Sequence, residues 1–555
     1  MSHRLAAILL AAGAGLALAD GSIVVLALPE LLDALDTSVE GVAAVIGVYT
    51  AVLAVALLPA EALRRAVGAR RLGAGGLVLF AAASLAAGLA GSLPLMLVLR
   101  AAQALGGAAA LVAAFALLDA GRRPGGGGRL WSLAAIGGAA AGPALGGALT
   151  QALDWRAIFL VQVPIALAAA VAALRGPAAH VVPAGDELAS APAPAPGRRT
   201  RAAAALALVS AALTAVLFLL VLVLVAGWSL DPLAGAAAVT ILPVTAIAAT
   251  RIRGDATVRA GVGCLLVAGG VAALAALGTA SVWWTVAPQV LAGVGMGLAL
   301  PALGGALLPE RTAADAARVL TLRHAGIAVA LALLAPVIAG QLDEAVEKAR
   351  ERGAALVLDA RLDPTEKLQL APALVGDVNE SDARGELARS FDERAGEFED
   401  EERVEFERLR ERTDQVLTAA VGDGFRLAFL LTAAFAALAA LALLPVPRPA
   451  VLAVAAALAA AVPLGTWAVS EATAPEPVEI ADPCQERELP DTGGISGFIQ
   501  DAALVALDRA ACRFGSSREE LVLALSDEDV AREYEQEHGV DPRSLGNLVQ
   551  GVLGF

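Results

Sequence analysis

Residues 202–227 read AAAALALVSAALTAVLFLLVLVLVAG, without a single charge. As a helix rising ~1.5 Å per residue, such a run is about 39 Å long, enough to cross the ~30 Å hydrocarbon core of a bilayer. The pattern repeats on both sides. Apolar runs fall near 5–29, 41–60, 72–91, 94–118, 131–151, 157–175, 202–227, 232–250, 260–280, 283–308, 319–340, 425–445 and 449–469, thirteen candidate spans in all. The 555 residues are 58% hydrophobic and 17% charged, against ~45–50% and ~25% in soluble domains. A soluble enzyme built on one core is excluded. Aromatics are only 4% and Gly numbers 56, a composition that suits close helix packing in lipid. The excess of Ala, Gly and Arg points to a GC-rich bacterial genome.

Arginines orient the spans, because short cytoplasmic loops hold the excess of Lys and Arg. Arg4 precedes the first span. Arg64, Arg65, Arg70 and Arg71 follow the second, and Arg122, Arg123 and Arg129 the fourth. Arg198, Arg199 and Arg201 follow the sixth, Arg251, Arg253 and Arg259 the eighth, Arg311 and Arg318 the tenth, and Arg448 the twelfth. The alternate loops hold Glu30, Asp33, Asp36, Glu40, Asp154 and Asp231, with Arg156 the exception. The expected topology is a multi-pass plasma-membrane protein with its N-terminus in the cytoplasm and, for thirteen spans, its C-terminus outside. Arg4, an apolar stretch and Ala17-Leu18-Ala19 also fit a cleaved signal peptide. Apolar residues resume after Asp20 and run to Pro29, however, and cleavage would invert the loop charges.

The net charge of −15 is unevenly spread. Residues 341–424 hold 23 acids and 12 bases, and residues 471–555 hold 18 and 6, so these parts carry −11 and −12. The remainder holds 55−41 = 14 acids and 40−18 = 22 bases, or +8. A basic membrane part therefore carries two acidic hydrophilic parts, both expected outside. In 341–424, Leu342, Val346 and Ala349 continue the eleventh span. Ala395, Phe398, Phe406, Leu409, Thr413, Val416 and Ala420 keep helical spacing into the twelfth. Together they predict a helical hairpin standing on spans eleven and twelve, the alternative being a solvated acidic spacer. Residues 471–555 begin with a Pro/Glu-rich tether. Ser517…Glu520 then reads as a capping box, Asp541-Pro542 as a helix start, and Ile495, Phe498, Ala502, Leu504, Leu507 and Ala511 as an apolar face. Cys484 and Cys512 both lie in this part, where an oxidising compartment permits a disulfide. Residues 176–201, including Ala191-Pro192-Ala193-Pro194-Ala195-Pro196, form an extended cytoplasmic linker between spans one to six and seven to twelve. Gly125 to Gly128 form a flexible turn.

Four stretches carry a family resemblance. Asp20-Gly21-Ser22-Ile23-Val24-Val25-Leu26-Ala27-Leu28-Pro29 resembles the first-span motif of the drug:proton antiporter branch of the major facilitator superfamily. Arg100-Ala101-Ala102-Gln103-Ala104-Leu105-Gly106-Gly107-Ala108 resembles its fourth-span motif B. Gly138-Ala139-Ala140-Ala141-Gly142-Pro143-Ala144-Leu145-Gly146-Gly147 resembles its fifth-span antiporter motif C, and Trp155 through Pro164 the segment after it. The loop after span two keeps Gly68, Arg70 and Arg71 of motif A, but Glu61 and Arg65 stand where the family has Gly and a latching Asp. Val25 replaces the usual Asn, and Ala104 the usual Gly. The resemblance covers roughly 1–340 and 425–445 and implies an N-terminal six-helix bundle over 1–175. It implies a second bundle over 202–340 and 425–445, leaving 449–469 as an additional span and 341–424 and 471–555 as outside segments.

Asp20 is the one carboxylate deep inside an early span, and Arg100 lies at comparable depth in the fourth. A charge at that depth costs several kcal/mol unless paired or hydrated. The functional reading is a proton-responsive pair, Asp20 with Arg100, oriented by Gln103; the plain one is a static ion pair tying two helices. Gly138, Gly142, Pro143, Gly146 and Gly147 read as a bending hinge or as small-residue packing. Glu61 and Asp119 read as solvated helix ends, His324 as a minor proton candidate and Cys264 as a small core residue. With no Walker loop and no metal-spaced His/Cys cluster, the sequence reads as no enzyme, with no cofactor and no metal. The expectation is an all-α polytopic secondary transporter. It exports a small or amphipathic molecule against protons by alternating access, binds no nucleic acid, and has room for a cell-envelope partner outside. The rival reading is a non-transporting scaffold or sensor displaying the outside segments on a degenerate transporter fold.

Overall fold

In the computed structural model the described residues are 2–119, 138, 141–175, 196–278, 280–308, 312–362, 367, 383–394, 400–487, 489–490, 494–544 and 547. Among them there is helix and no strand. Among the described residues twelve helices are long and apolar enough to cross a membrane. The remaining candidate, 131–151, is described only at 138 and from 141, where the chain is helical. The Gly125–Gly128 turn, most of the 176–201 linker, Ala395 and Phe398 lie outside the described residues.

The run read as 5–29 is not one span. A helix from His3 to Val25, capped by Ser2, is followed by a short helix, Leu28–Ala34, with Pro29 in its first turn. Pro has no N–H and is tolerated there because the first turn's N–H groups have no helical partners. The second span, Val39–Val67, starts on a Ser38 cap and ends at Gly68. Gly68 has φ 84°, which a side chain would resist, so the chain reverses there into the third span, Ala69–Ala87.

Small residues set the packing in both halves by one device. A Cβ on Gly106 of the fourth span (Leu93–Asp119) would lie 2.6 Å from the Gly76 carbonyl oxygen of the third. A Cβ on Gly263 of the ninth span would lie 2.5 Å from the Gly295 oxygen of the tenth, Trp283–Leu307. Backbones in such contact exclude any larger residue, which explains the Ala/Gly composition. The thirteenth span, Pro449–Thr473, leans on the ninth, and its Val454, Leu458, Leu464 and Trp467 are exposed as a lipid-facing side would be.

At one end a single apolar cluster runs across both bundles. It joins Val24, Leu28, Leu31, Val42 and Phe159 of the first half to Phe218, Leu222, Val239, Leu331 and Phe425 of the second. Towards the opposite end two clusters replace it. That of the first bundle takes in only Ala313, Ala316, Ala317 and Leu320 from the second. The sealed end is the one that carries the hairpin.

The eleventh span is part of a 47-residue helix, Ala313–Asp359. At ~1.5 Å per residue this is about 70 Å, twice what a bilayer needs. The twelfth continues a helix from Asp400 to Ala442. Beyond the bundle the two pair around Val357, Leu362, Phe391, Phe406 and Leu409, with the helix Ala383–Arg394 against them. The tail forms three helices, Gly494–Phe514, Arg518–Ser526 and Glu528–His538, around Ala511, Leu521, Ala524 and Tyr534. Ser517 and Glu520 form the expected capping box. Phe498, expected on the buried face, is 76% exposed. Pro542 sits in a turn instead of starting a helix, with Asp541 accepting from Arg543 N. Cys484 and Cys512 are disulfide-bonded. The tail docks on the hairpin through fully buried Arg518, whose Nη2 lies 2.7 Å from Asp359 Oδ1.

Candidate functional site

Asp20 lies five residues before the end of the first span, about 8 Å down its axis. Directly above it Ile23 and Val24 enter the cluster that seals the two bundles. Its carboxylate is fully buried, as are Arg100, Gln103, Gln162 and Ser84 around it. Arg100 Nη1 stands 2.5 Å from Asp20 Oδ2. The guanidinium is held from three other directions. Nε donates to the Val45 carbonyl at 3.1 Å, Nη1 to Gln103 Oε1 at 2.6 Å, and its plane lies 4.4 Å over the Tyr49 ring. Tyr49 is itself fixed by donating to the Ala17 carbonyl at 2.7 Å.

The other carboxylate oxygen meets amides. Gln103 Nε2 and Gln162 Nε2 lie 3.0 and 2.9 Å from Asp20 Oδ1. Gln103 Nε2 has two further acceptors in reach, Ser84 Oγ at 2.9 Å and Gln162 Oε1 at 3.0 Å. An amide nitrogen has two hydrogens, so three acceptors cannot all be served at once. Arg100 Nη2 has no hydrogen-bond partner among the described residues. The network is thus close to satisfied but not uniquely so, and a buried polar network of that kind has more than one arrangement of similar energy.

Asp20, Arg100 and Gln103 therefore converge, from the first and fourth spans. Gln162, Ser84 and Tyr49 join them. Gln162 stands inside the quoted motif of the sixth span, and Ser84 and Tyr49 are polar residues in apolar helices, which is the signal that could have singled them out.

The glycines of the fifth span do not all face the same neighbour. At Gly138 a Cβ would meet the Gly15 carbonyl oxygen at 2.5 Å, and Gly142 and Gly146 face Ser22 and Ile23 in the same way. This stripe lies against the first span on either side of Asp20. Gly147 faces elsewhere, with the Pro232 carbonyl oxygen 2.6 Å from its would-be Cβ, so it abuts the second bundle. Pro143 is buried in a helix that continues to residue 152.

At the opposite end Glu61 is buried, not solvated as its position suggested. Arg64 Nε and Nη2 hold it at 2.7 and 2.9 Å, and Arg65 Nε at 3.2 Å. The reversed charge at 65 is therefore neutralised on its own helix. Of the loop residues, Arg70 is half-buried and Arg71 exposed. His324 is buried, its Nδ1 2.8 Å from the Leu320 carbonyl, and Cys264 is a free core thiol. The side chain of Asp119 lies outside the described residues. In the tail the fold brings Glu520, Glu537 and His538 together, with potential ligand atoms within 4.8 Å of one another. His538 Nε2 lies 2.6 Å from Glu520 Oε1, in hydrogen-bond contact.

Residues 10–335 match the model of the Major Facilitator Superfamily. The chain is similar to the tetracenomycin C resistance and export protein of Streptomyces glaucescens, 37% identical over 161 residues, or 28% of this chain and 29% of that one. It is similar also to multidrug resistance protein Stp of Mycobacterium tuberculosis, 35% over 167 residues, or 28% and 30%. The chain thus spans less than a third of these curated relatives. Among solved structures, an inward-facing and occupied bacterial homolog of the human lysosomal transporter Spinster covers 80% of the chain and is itself 96% covered, with TM-score 0.57 and 15% identity. That likeness concerns the fold. With the family model spanning more than half of the sequence, the chain belongs to the major facilitator superfamily and is a multi-pass membrane protein.

Proposed function

We propose that this transporter exports a small or amphipathic molecule in exchange for protons, by alternating access of two six-helix bundles, 1–175 and 202–340 with 425–445. The observation that carries the reading is the buried Asp20–Arg100 pair under the apolar seal. Neutralising a carboxylate there releases a guanidinium and two amides to find other partners, among them a substrate. The resistance and export proteins to which part of the chain is similar support the direction of transport. The arginine loops support a cytoplasmic N-terminus, so that the sealed end, hairpin and tail face outside, with the thirteenth span bringing the chain across once more.

One observation favours the rival reading, a scaffold that displays the hairpin and tail. Glu61 is neutralised by Arg64 and Arg65 of its own helix, where the family has a latching Asp. Proteoliposomes with an imposed pH gradient decide between the two. Substrate-dependent proton flux abolished by Asp20→Asn supports exchange. Flux untouched by that substitution removes Asp20 from the coupling, and no flux with any amphipathic drug tried favours the scaffold.

A further inference from the structure

A cavity of about 840 Å³ lies between the two long hairpin helices, the helix Ala383–Arg394, the turn at 278–281 and the chain that follows the thirteenth span. It is the size of a small-molecule site. Its base stands where Ser281 precedes the tenth span and Thr473 ends the thirteenth. Trp283 and Trp284 at that level are 83% and 41% exposed. Exposed tryptophans at the end of a span mark the membrane–water interface. The cavity therefore stands beside the headgroup layer.

Its lining has two characters. Leu356, Leu409, Pro475 and Val478 make an apolar side. The lining also holds three guanidiniums and four carboxylates, most of them committed to one another. Arg384 donates to both oxygens of Asp414, at 2.6 and 2.9 Å, and to the Trp228 carbonyl at 3.1 Å. Asp359 is taken by Arg518, and Glu405 by Arg408 at 3.3 Å. Glu411 is exposed, its Oε1 3.4 Å from Gln415 Nε2. Arg412 is different. Among the described residues its hydrogen bond is a long one, 3.4 Å, to the neutral Glu476 carbonyl. One turn away on the same wall is Arg408, and Thr418, also lining the cavity, is 4% exposed with a hydroxyl that has no hydrogen-bond partner among the described residues.

We propose that this cavity binds an amphiphile with an anionic head group, the head on Arg412 and Arg408 and the apolar part along Leu356, Leu409, Pro475 and Val478. A guanidinium with no carboxylate partner among the described residues, beside an apolar wall, selects for that combination. A membrane lipid and an exported amphiphile share this chemistry. The site is separate from Asp20, and its existence does not depend on proton exchange.

The test is titration of the full-length protein in phosphatidylcholine nanodiscs with dodecyl phosphate, with empty nanodiscs as the blank. Saturable binding of one molecule per chain is expected. It should weaken by roughly tenfold or more in Arg412→Gln, the worth of one charge-assisted hydrogen bond. Val478→Glu, on the chain after the thirteenth span, should weaken it as well. Binding should persist in Asp20→Asn, so loss of transport and loss of this site can be told apart. Inorganic phosphate should bind far more weakly, and dodecyltrimethylammonium should not compete. Native mass spectrometry on protein taken from its own membrane separates the sources. A phospholipid retained in the wild type and lost in Arg412→Gln assigns the site to the bilayer. A site empty on extraction that fills with dodecyl phosphate assigns it to exported amphiphiles. No saturable binding, equal binding of the cationic probe, or no change in either cavity variant overturns the proposal.

Discussion

Gln162 donates to Asp20 across 2.9 Å, although 142 residues separate them in the chain. It shares Asp20 Oδ1 with Gln103, while Arg100 stands against Oδ2. An ionised carboxylate accepts from all of them, whereas a protonated one must present its own O–H to a neighbour. Adding one proton thus forces the network to change partners.

Replacing one partner of the pair leaves the other charge buried and alone. Asp20→Asn and Arg100→Gln should each cost about 3–5 kcal/mol of stability. The double variant should cost less than their sum. Thermal unfolding of the four proteins in one detergent measures the coupling; additive losses would mean the two side chains do not depend on each other.

Gln162→Leu keeps the pair but removes an amide donor from Asp20. If the network carries the coupling, substrate-dependent proton flux should fall by roughly tenfold or more, the worth of one hydrogen bond to a charged group. A flux equal to the wild type's would leave Gln162 a packing residue.

Gly263→Val should destabilise by roughly 1–3 kcal/mol, as overpacking does in tight cores. The added Cβ alone would lie 2.5 Å from the Gly295 oxygen, whereas a Cβ on Gly304 would meet nothing within 4 Å. Gly304→Ala is therefore the neutral control, and melting temperatures of the two variants read the difference.

The tail should hold its dock more firmly as pH falls. Glu351, on the hairpin part of its long helix, has its carboxyl pushed up to about 7, first by burial and then by Glu520, Glu347 and Glu519, with Arg352 opposing. The charged form is thus penalised in the docked state. The penalty is present above about 7 and fades as pH drops towards 4.5, the ordinary value of a glutamate carboxyl. Protease protection of 471–555 should rise between pH 8 and pH 5.5, and Glu351→Gln should flatten that rise.

Removing the Cys484–Cys512 bridge opens a loop with a sequence separation of 28. By the chain-entropy account this costs ~3 kcal/mol of the tail's local stability. Cys484→Ser should speed proteolysis of the tail while leaving transport unchanged. A membrane-impermeant maleimide that labels the reduced cysteines in intact cells would support an outside tail; labelling only after lysis would count against thirteen spans.

Much of the fold was legible along the chain, because a bilayer demands long apolar helices and each announces itself locally. The spans, the helical hairpin and the Ser517 cap are of this kind. Errors arose where a local run conceals a break, as at Val25–Leu28, or where burial depends on a neighbour, as at Glu61 and Phe498. At the site, Asp20, Arg100 and Gln103 stood out as polar groups at costly depth. Gln162, Ser84 and Tyr49 are less costly on their own, so their polar character in apolar helices is a weaker signal than their convergence.

The amino-acid sequence by itself determined the class of protein, its helices and the pairing of basic membrane part with acidic appendages, since hydrophobic length and charge are properties of contiguous residues. The tertiary structure alone decided that Asp20 is shared by two amides and an arginine from different spans. It alone decided that Gly138, Gly142 and Gly146 line the first helix, and that Arg412 borders a cavity with no acidic partner among the described residues. These are relations between distant residues, set by which backbones approach closely enough to touch, and no local pattern encodes them.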